Sequence, residues 1–515
     1  MLLIKEKGRN EQLAINMAAS FMTFVVGLGI RFFLTPYIVK TLGPEAYGFI
    51  GLSANILSYT GLITIALNSM AGRFVTIKYS AGEIEEANRY FTSVFYSNLI
   101  LAGIILMASA GCVVWLEYII EIPENLVFDV KFLFCLLAVN NIIGLLTGIW
   151  GVATFIKNRL DLSNVRGIIG NFMNAATLIV LFTFFAPHIW YMGVAGMVLT
   201  VYGAITNRAF SKMLTPDLLV RRCFFEWNKV KELLKSGIWN LISKLGEILG
   251  QGMDLLIANL CIGATAMGYF ALTKNVPFLI LSLFQTISAV FSPVLTNLYA
   301  QGKTGELVKE FNKSIRILCF FTAIPLSLLY CYGDYFYGLW LPTEDSSKLQ
   351  LLTVLGTFAL PYTMPLESLW NIFTITNKLK YSTLFMLGNN IVVFVIVMTS
   401  MFIVDSLEIR LLILASTRSL CGLIRGFVFL PMYGAYCLEL PVKTFYGTIF
   451  KSLLCTMACI FFCYLTRSFL QADSWVKLFL AALMTVCICF ATSTILILTP
   501  NDRKVIYSKI LTKRR

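Results

Sequence analysis

The sequence contains few charged residues and a single histidine. Only 13% of its 515 residues are charged, whereas 58% are hydrophobic. Soluble proteins carry about 25% charged residues, which cover their water-facing surface. A chain this poor in charge is suited to a lipid-facing surface and excludes a water-soluble fold. The one histidine, His188, is close to Trp190 in a short loop, and we interpret it as an interfacial residue and not as a catalyst.

Several other signals are missing. No C-x-x-C pair occurs among the 13 cysteines, most of which lie inside apolar segments. Cys455, Cys459 and Cys463 share one helix face, which a zinc site could use, but we predict that they are small packing residues. No Walker motif occurs, so ATP is not expected to drive the protein directly. The first apolar run is too long for a signal peptide, so we predict that it is a membrane span.

Long apolar runs dominate the chain, and its mean hydropathy is +0.79. A bilayer is crossed by about 20 apolar residues in a helix. The sequence therefore predicts an all-α polytopic membrane protein with about 14 transmembrane helices. The predicted spans are 12–37, 45–71, 90–116, 130–155, 164–186, 190–209, 237–262, 266–299, 314–339, 350–374, 381–403, 409–432, 444–466 and 475–498.

The net charge of +14 has a membrane explanation. Basic residues concentrate in alternate loops, above all in 208–235 and in the tail 503–515, whereas the intervening loops are acidic or bare. This is the positive-inside pattern, so we expect both termini in the cytoplasm, a location in the bacterial cytoplasmic (inner) membrane and no nucleic-acid partner.

The predicted spans form two groups. We predict an N-lobe of helices 1–6 at 1–212, a cytoplasmic interfacial linker at 213–236, a C-lobe of helices 7–12 at 237–432, and helices 13–14 with a basic tail at 433–515. The linker mixes aromatic and basic residues, which is typical of a helix lying in the membrane interface.

The two lobes are sequence repeats. At an offset of 220 residues, five positions of the first lobe match the second without a gap. They are Gly43, Ala46, Gly48, Leu52 and Asn55, which fall on Gly263, Ala266, Gly268, Leu272 and Asn275. Both predicted lobes begin in the cytoplasm, so the repeats are parallel. Two pseudo-symmetric six-helix lobes of this kind are typical of transporters that rock about a central cavity.

Polar residues inside the spans indicate where that cavity lies. One helical stripe of span one carries Asn16, Ser20, Thr23, Gly27 and Arg31. The same offset places Ser236, Asn240, Ser243, Glu247 and Gln251 on span seven. We predict that both stripes face the cavity, together with Asn55 and Asn275, because polar groups are costly against lipid.

Five intramembrane cations are the predicted binding residues, namely Arg31, Lys244, Lys274, Arg418 and Arg425. Cations around a wet cavity suit an anionic cargo, and arginine binds phosphate with paired donors. Internal pairing is the alternative: Lys244 could neutralise Glu247, and Arg425 could extend to the membrane surface. Glu247 and Asp254 could couple transport to a proton or sodium gradient, or could form structural salt bridges.

Three segments carry a family resemblance. They are Leu42–Gly48 in the first lobe, its equivalent Ile262–Tyr269 in the second, and the entry Val230–Gly237. These segments resemble the polysaccharide transporters, the Wzx-like O-antigen flippases of the multidrug/oligosaccharidyl-lipid/polysaccharide exporter superfamily, and the resemblance extends over the whole chain.

The resemblance implies a transporter and not an enzyme. Such flippases move undecaprenyl-pyrophosphate-linked oligosaccharide to the outer leaflet by alternating access, without a cofactor but with possible proton or sodium coupling as antiporters. Expected partners are this cargo, membrane lipids, a polysaccharide polymerase and a chain-length regulator. The product could be O-antigen for lipopolysaccharide, capsule, exopolysaccharide or a teichoic-type polymer.

Three alternatives remain at this point. A drug exporter of the superfamily should carry an acid in span one, where this chain has Arg31. A peptidoglycan-precursor flippase would also use cavity arginines. A membrane glycosyltransferase or polymerase would need a large outer loop or catalytic acids near the outer surface, and it would leave the repeat without a role.

Overall fold

Every described element of the protein is helical. The computed structural model describes residues 9–251, 253–289, 291, 294–295, 298–299, 301–376, 378–469 and 471–497. Within these ranges the chain forms α-helices, turns and short 3-10 or π segments, and no strand. The helices are α1 (Arg9–Ser80), α2 (Ile84–Val114), α3 (Leu116–Ile119), α4 (Val127–Gly148), α5 (Val152–Ile156), α6 (Leu160–Phe184), α7 (Tyr191–Leu214), α8 (Trp227–Gln251), α9 (Met253–Cys261), α10 (Ala264–Thr273), α11 (Asn275–Ala289), α12 (Thr304–Trp340), α13 (Ser346–Thr357), α14 (Leu360–Thr363), α15 (Trp370–Ile375), α16 (Leu379–Ile403), α17 (Leu407–Ile424), α18 (Leu430–Cys437), α19 (Tyr446–Phe469) and α20 (Trp475–Leu496).

Ten helical segments in the described ranges are long and apolar enough to cross a membrane. They coincide with ten of the predicted spans. The other four predicted spans fall on the second half of α1, on α7, on α8 with α9, and on α10 with α11. The prediction of an all-α, multi-pass membrane protein is therefore confirmed. Some helices extend well beyond their spans, since the 37 residues of α12 measure about 55 Å.

The first helix reverses direction at a glycine. Its 72 residues are interrupted at Gly43, whose φ of 85° and ψ of 163° are not helical. Residues near both ends of α1 meet the same turn: Asn16 donates to the carbonyl oxygen of Asn158 at 2.9 Å, and Lys157 lies over the ring of Tyr79 at 5.1 Å. The two halves of α1 therefore form a hairpin, as expected for two consecutive spans.

Matching turns confirm the repeat. The glycine turn before α2 has four backbone hydrogen bonds, from Gly82, Glu83, Ile84 and Ala87. At an offset of 220 residues the turn before α12 has the same four bonds, and Gly82 and Gly302 both adopt positive φ, 81° and 68°. A positive φ strains most residues that have a side chain, so both copies favour glycine here.

The chain divides into two compact units, Met1–Gly268 and Tyr269–Arg515. The core of the first unit joins the second half of α1 to α2 and to the start of α8, through Leu67, Phe91 and Leu233. A core of the second unit joins α12 to the broken helix α14–α15 and to α18, through Phe311, Phe373 and Leu430.

The predicted packing role of the cysteines is confirmed in the second unit. Cys455, Cys459 and Cys463 are fully buried where α19 packs against α12 and α20. Cys455 and Cys459 each lie 3.4 Å from the hydroxyl of Ser493, and Cys463 donates to the carbonyl oxygen of Ser327 at 3.4 Å. The thiols thus act as small groups that allow three helices to approach closely.

The prediction of an interfacial helix in the linker is wrong for residues 215–226. This segment is an irregular strap that ends in a three-residue 3-10 turn before α8 begins at Trp227. Asn88 of α2 donates to the carbonyl oxygen of Asp217 and accepts from the amide of Leu219, and Arg89 binds Glu226 at 2.6 Å. These contacts with α2 replace the hydrogen bonds that a helix would make internally.

Candidate functional site

The polar stripe of span one packs against α6. The hydroxyl of Thr23 donates to the carbonyl oxygens of Ala19 at 2.9 Å and Asn164 at 3.2 Å, so its hydrogen-bond partners are backbone groups of α1 and α6. Ser20, whose side chain is exposed, accepts a hydrogen bond from the amide of Asn164 at 2.8 Å. Small and polar residues commonly join helices in membranes, so these contacts stabilise the α1–α6 pair.

Asn16 has a structural role at the start of this stripe. Its side chain is 4% exposed and donates to both the carbonyl and the side-chain oxygen of Asn158. Its own oxygen accepts from the amide of Asp161 at 3.0 Å and from Gln12 at 3.0 Å. Asn158 has a φ of 51°, a left-handed conformation that asparagine tolerates, so Asn16 fixes the turn that leads into α6.

The predicted cations lie in both units. Arg31 is exposed on the first half of α1, and Lys244 is half-buried on α8. In the second unit, Lys274 is half-buried between α10 and α11, with its ammonium 4.8 Å from the centre of the Phe270 ring. Arg418 is half-buried on α17. The structure thus places these cations on or beside membrane helices, and cargo binding by each of them stays a prediction.

The remaining predicted cavity residues have local partners. Asn240 of α8 donates to the hydroxyl of Ser69 at 3.1 Å, which ties α8 to the second half of α1. Asn275 donates to the carbonyl oxygen of Leu272 at 3.3 Å, and the carbonyl of Asn55 accepts from Ser58 at 2.6 Å. The side chain of Gln251 lies outside the described residues.

A buried acid lies in the first unit. Asp254 at the start of α9 is only 8% exposed, and it is close enough to Tyr59 of α1 to act electrostatically on the Tyr59 hydroxyl. Burial makes a carboxylate costly to charge, and a role of Asp254 in ion coupling stays a prediction. The side chain of Glu247, the other predicted coupling residue, lies outside the described residues.

Arg425 forms an ion pair with Glu367, which the sequence analysis did not predict for this cation. Its Nη2 lies 2.6 Å from Oε1 of Glu367, and both side chains are about three-quarters buried, at 23% and 28% exposure. Each partner sits where its helix is irregular: Glu367 in the 3-10 segment Met364–Leu369, and Arg425 at the start of the π segment Arg425–Phe429. Irregular turns of this kind are frequent at functional sites of helices.

Two glycines that the repeat makes equivalent lie against each other, which the sequence did not predict. A Cβ atom added at Gly48 would lie 2.9 Å from the Cα atom of Gly268. One added at Gly268 would lie 2.6 Å from the carbonyl carbon of Pro44 and 2.9 Å from the amide of Glu45. The second half of α1 and the start of α10 therefore cross so closely that neither position accepts a side chain.

Asn259 strengthens the first unit near this crossing. Its side chain is fully buried at the end of α9 and forms two hydrogen bonds with the backbone of Glu121, each 2.9 Å long. One bond runs from the Glu121 amide to the side-chain oxygen, and the other from the side-chain amide to the Glu121 carbonyl. The sequence offered a weak signal for this residue: Asn259 is polar, whereas Val39, its equivalent in the first repeat, is apolar.

His188 has a carboxylate partner, and its position at the membrane interface stays a prediction. Its Nδ1 lies 3.0 Å from both carboxylate oxygens of Asp129, and its ring stacks on Trp190 at 5.8 Å. Asp129 also accepts from the amide of Ile189 at 3.2 Å. The carboxylate therefore fixes the loop that precedes α7.

Comparison with known proteins adds a family and a fold. The family model described as polysaccharide biosynthesis protein matches residues 38–338, more than half of the chain. The chain is also 28% identical over 499 residues to EpsK, described as an uncharacterized membrane protein of Bacillus subtilis (strain 168). That match covers 96% of this chain and 97% of EpsK.

Two solved structures show the same fold. Lipid II flippase MurJ in an inward closed conformation has a TM-score of 0.67 at 14% identity, covering 94% of this chain and 98% of MurJ. An inward-facing multidrug resistance MATE family transporter of the MOP superfamily has a TM-score of 0.65 at 14% identity, covering 83% of this chain and 98% of the transporter. The superfamily fold that the sequence resemblance implied is therefore confirmed.

Proposed function

Because this chain belongs to the polysaccharide biosynthesis protein family, we propose that it is a flippase for lipid-linked oligosaccharide. It moves undecaprenyl-pyrophosphate-linked repeat units across the bacterial cytoplasmic membrane, from the cytoplasmic to the outer leaflet. Both termini lie in the cytoplasm. A polymerase and a chain-length regulator take up the delivered units, and the protein itself carries out no chemistry on them.

The observation that carries this proposal is the set of cations on membrane helices. Arg31, Lys244, Lys274 and Arg418 all lie on or beside helices of the two units. A cation placed in a membrane is stabilised by an anion or by water, and a pyrophosphate supplies two closely spaced anionic groups. The same residues would repel the cationic compounds that a drug exporter carries.

Alternating access gives the glycine crossing a role. Gly48 and Gly268 belong to equivalent segments of the repeat and lie in close contact, which supports a role for this crossing in closing one end of the transport pathway. The two hydrogen bonds between Asn259 and Glu121 add to the stability of the closed state. Opening that end breaks both contacts, and proton or sodium binding at the buried Asp254 is the step that drives the change.

A peptidoglycan-precursor flippase is the second candidate, because the fold is shared with a lipid II flippase over 94% of this chain. Both candidates carry a polyprenyl pyrophosphate and differ in the attached sugar. The family match favours the polysaccharide cargo.

A deletion strain distinguishes the candidates. We expect unpolymerised lipid-linked oligosaccharide to accumulate on the cytoplasmic leaflet and surface polysaccharide to disappear, with normal peptidoglycan synthesis. Plasmid-borne wild-type protein should restore the polymer. Oligosaccharide that still reaches the outer leaflet, with only drug sensitivity altered, would remove the flippase proposal, and arrested peptidoglycan synthesis would favour the second candidate.

A further inference from the structure

The first unit contains a half-buried arginine, Arg166, whose hydrogen-bond acceptors are neutral side chains. Arg166 lies on the second turn of α6. Its guanidinium donates to the side-chain oxygen of Asn207 on α7 and to the hydroxyl of Ser163 at 3.2 Å. Among the described residues, no carboxylate forms an ion pair with it. A partly desolvated cation gains little from neutral acceptors, and a guanidinium has five N–H donors to satisfy.

Two further cations lie beside the same segment. Arg208, the residue after Asn207, lies 5.2 Å above the ring of Trp150, and Lys157 lies 5.1 Å above the ring of Tyr79. Both side chains are exposed, and neither forms an ion pair with a described carboxylate. Aromatic faces hold the two cations in place without neutralising them.

One short stretch of chain brings the three cations together. The side chain of Asn207, which accepts a hydrogen bond from Arg166, lies 3.6 Å from the position of a Cβ atom added at Gly151. The residue before Gly151 is Trp150, whose ring contacts the guanidinium of Arg208. Lys157 follows Gly151 by six residues along α5, a distance of about 9 Å at helical rise. Arg166 and Arg208 therefore both lie beside the turn at 149–151, and Lys157 directly follows the short helix α5 that leaves this turn.

Other cations close to this segment are neutralised by carboxylates. Arg159 pairs with Asp161 at 3.0 Å, and Lys78, next to Tyr79, pairs with Glu83 at 2.7 Å. Arg89 of α2 is likewise paired, with Glu226 at 2.6 Å. Arg166, Arg208 and Lys157 differ from these three in having no ion pair with a described carboxylate.

We propose that Lys157, Arg166 and Arg208 bind the diphosphate of a polyprenyl carrier lipid. Arginine side chains form paired, charge-assisted hydrogen bonds to phosphate oxygens, and a mobile lysine ammonium adds a third positive group. The site is separate from the five predicted cavity cations. It rests on the proposed function, because that function supplies the diphosphate. Arg208 belongs to the basic loop 208–235, which was predicted to face the cytoplasm, so the site receives the carrier lipid from the cytoplasmic leaflet.

Lipid binding by the purified full-length protein tests the proposal. Undecaprenyl diphosphate is titrated into detergent-solubilised wild type and the variants Arg166→Gln, Arg208→Gln and Lys157→Gln, with binding followed by native mass spectrometry. We expect each arginine variant to bind about tenfold more weakly, the loss of one charge-assisted contact. Lys212→Gln, which removes an exposed cation one turn further along α7, is the matched control and should bind as wild type does.

Two further measurements distinguish diphosphate binding at this site from misfolding of the variants and from general lipid binding. Arg166→Lys keeps the positive charge and should recover part of the affinity, which a merely misfolded variant would not. Phosphatidylglycerol should bind all variants equally. An equal loss for phosphatidylglycerol, or unchanged diphosphate affinity in Arg166→Gln and Arg208→Gln, would overturn the site. If wild type itself binds no undecaprenyl diphosphate, the proposed function fails, and not this site alone.

Discussion

Replacing Gly268 by alanine should destabilise the close crossing of α1 and α10, which we propose belongs to the closed state of the transporter. The added Cβ would lie 2.6 Å from the carbonyl carbon of Pro44, whereas carbon atoms normally approach to about 3.5 Å. The obstructing atoms are backbone, so α1 and α10 would have to separate by close to 1 Å at their crossing. Forcing an extra methyl group into a packed contact costs about 1–3 kcal/mol.

That cost acts on a conformational equilibrium. If the crossing exists only in the closed state, about 2 kcal/mol shifts the population toward the open state by about 30-fold. The Gly268→Ala variant should therefore be purified in normal amounts but unfold at a lower temperature and transport more slowly. Gly48→Ala should act in the same direction and less strongly, because one of its obstructing atoms is the mobile end of Met267.

A matched control separates the crossing from the general effect of alanine in a helix. Gly103 lies inside α2 with no atom within 4 Å of its would-be Cβ, and alanine is the better helix former by up to about 1 kcal/mol. Gly103→Ala should leave the unfolding temperature unchanged or raise it. An unfolding temperature and a transport rate for Gly268→Ala that match those of Gly103→Ala would refute the close crossing.

Three further predictions concern other residues. Asn259→Ala removes two hydrogen bonds to the backbone of Glu121 and should lower stability by about 2 kcal/mol in thermal unfolding, a prediction that an unchanged melting curve would contradict. Glu367→Gln leaves the Arg425 charge unpaired and should cost about 1–3 kcal/mol, and the double variant Glu367→Gln/Arg425→Gln should recover part of that loss; a double variant less stable than the single one would argue against the ion pair. Arg31→Gln and Lys274→Gln should each abolish polysaccharide export while the protein remains in the membrane, and normal polymer from both would exclude them from cargo binding.

Much of the fold could be predicted because hydropathy and repeat spacing are properties of the chain itself. The lengths of apolar runs indicated the spans, and the offset of 220 residues indicated the two lobes, in which Gly82 and Gly302 then form matching turns. The contact between Gly48 and Gly268 could not be predicted from the sequence alone. Equivalence in a repeat does not reveal whether two positions touch, because that depends on how the helices cross.

The candidate site was less predictable for a related reason. A polar stripe on one helix shows that the side chains avoid lipid, but a neighbouring helix satisfies that requirement as well as a cavity does. Asn16 has its partners 142 and 145 residues away, and Glu367 lies 58 residues from Arg425. The strap at 215–226 was not predictable from its composition, because what replaces a helix there is the pairing of the Asp217 and Leu219 backbone with Asn88 of α2, which composition does not reveal.

Transport in reconstituted vesicles tests the central claim most directly. The purified protein is incorporated into liposomes that carry a fluorescent undecaprenyl-pyrophosphate oligosaccharide, and a membrane-impermeant reagent reports how much label has reached the opposite leaflet. The proposal predicts rapid movement with the wild-type protein, slower movement with Arg31→Gln or Lys274→Gln, and none in protein-free liposomes. Wild-type vesicles that move the lipid no faster than protein-free liposomes, under either a proton or a sodium gradient, would contradict it.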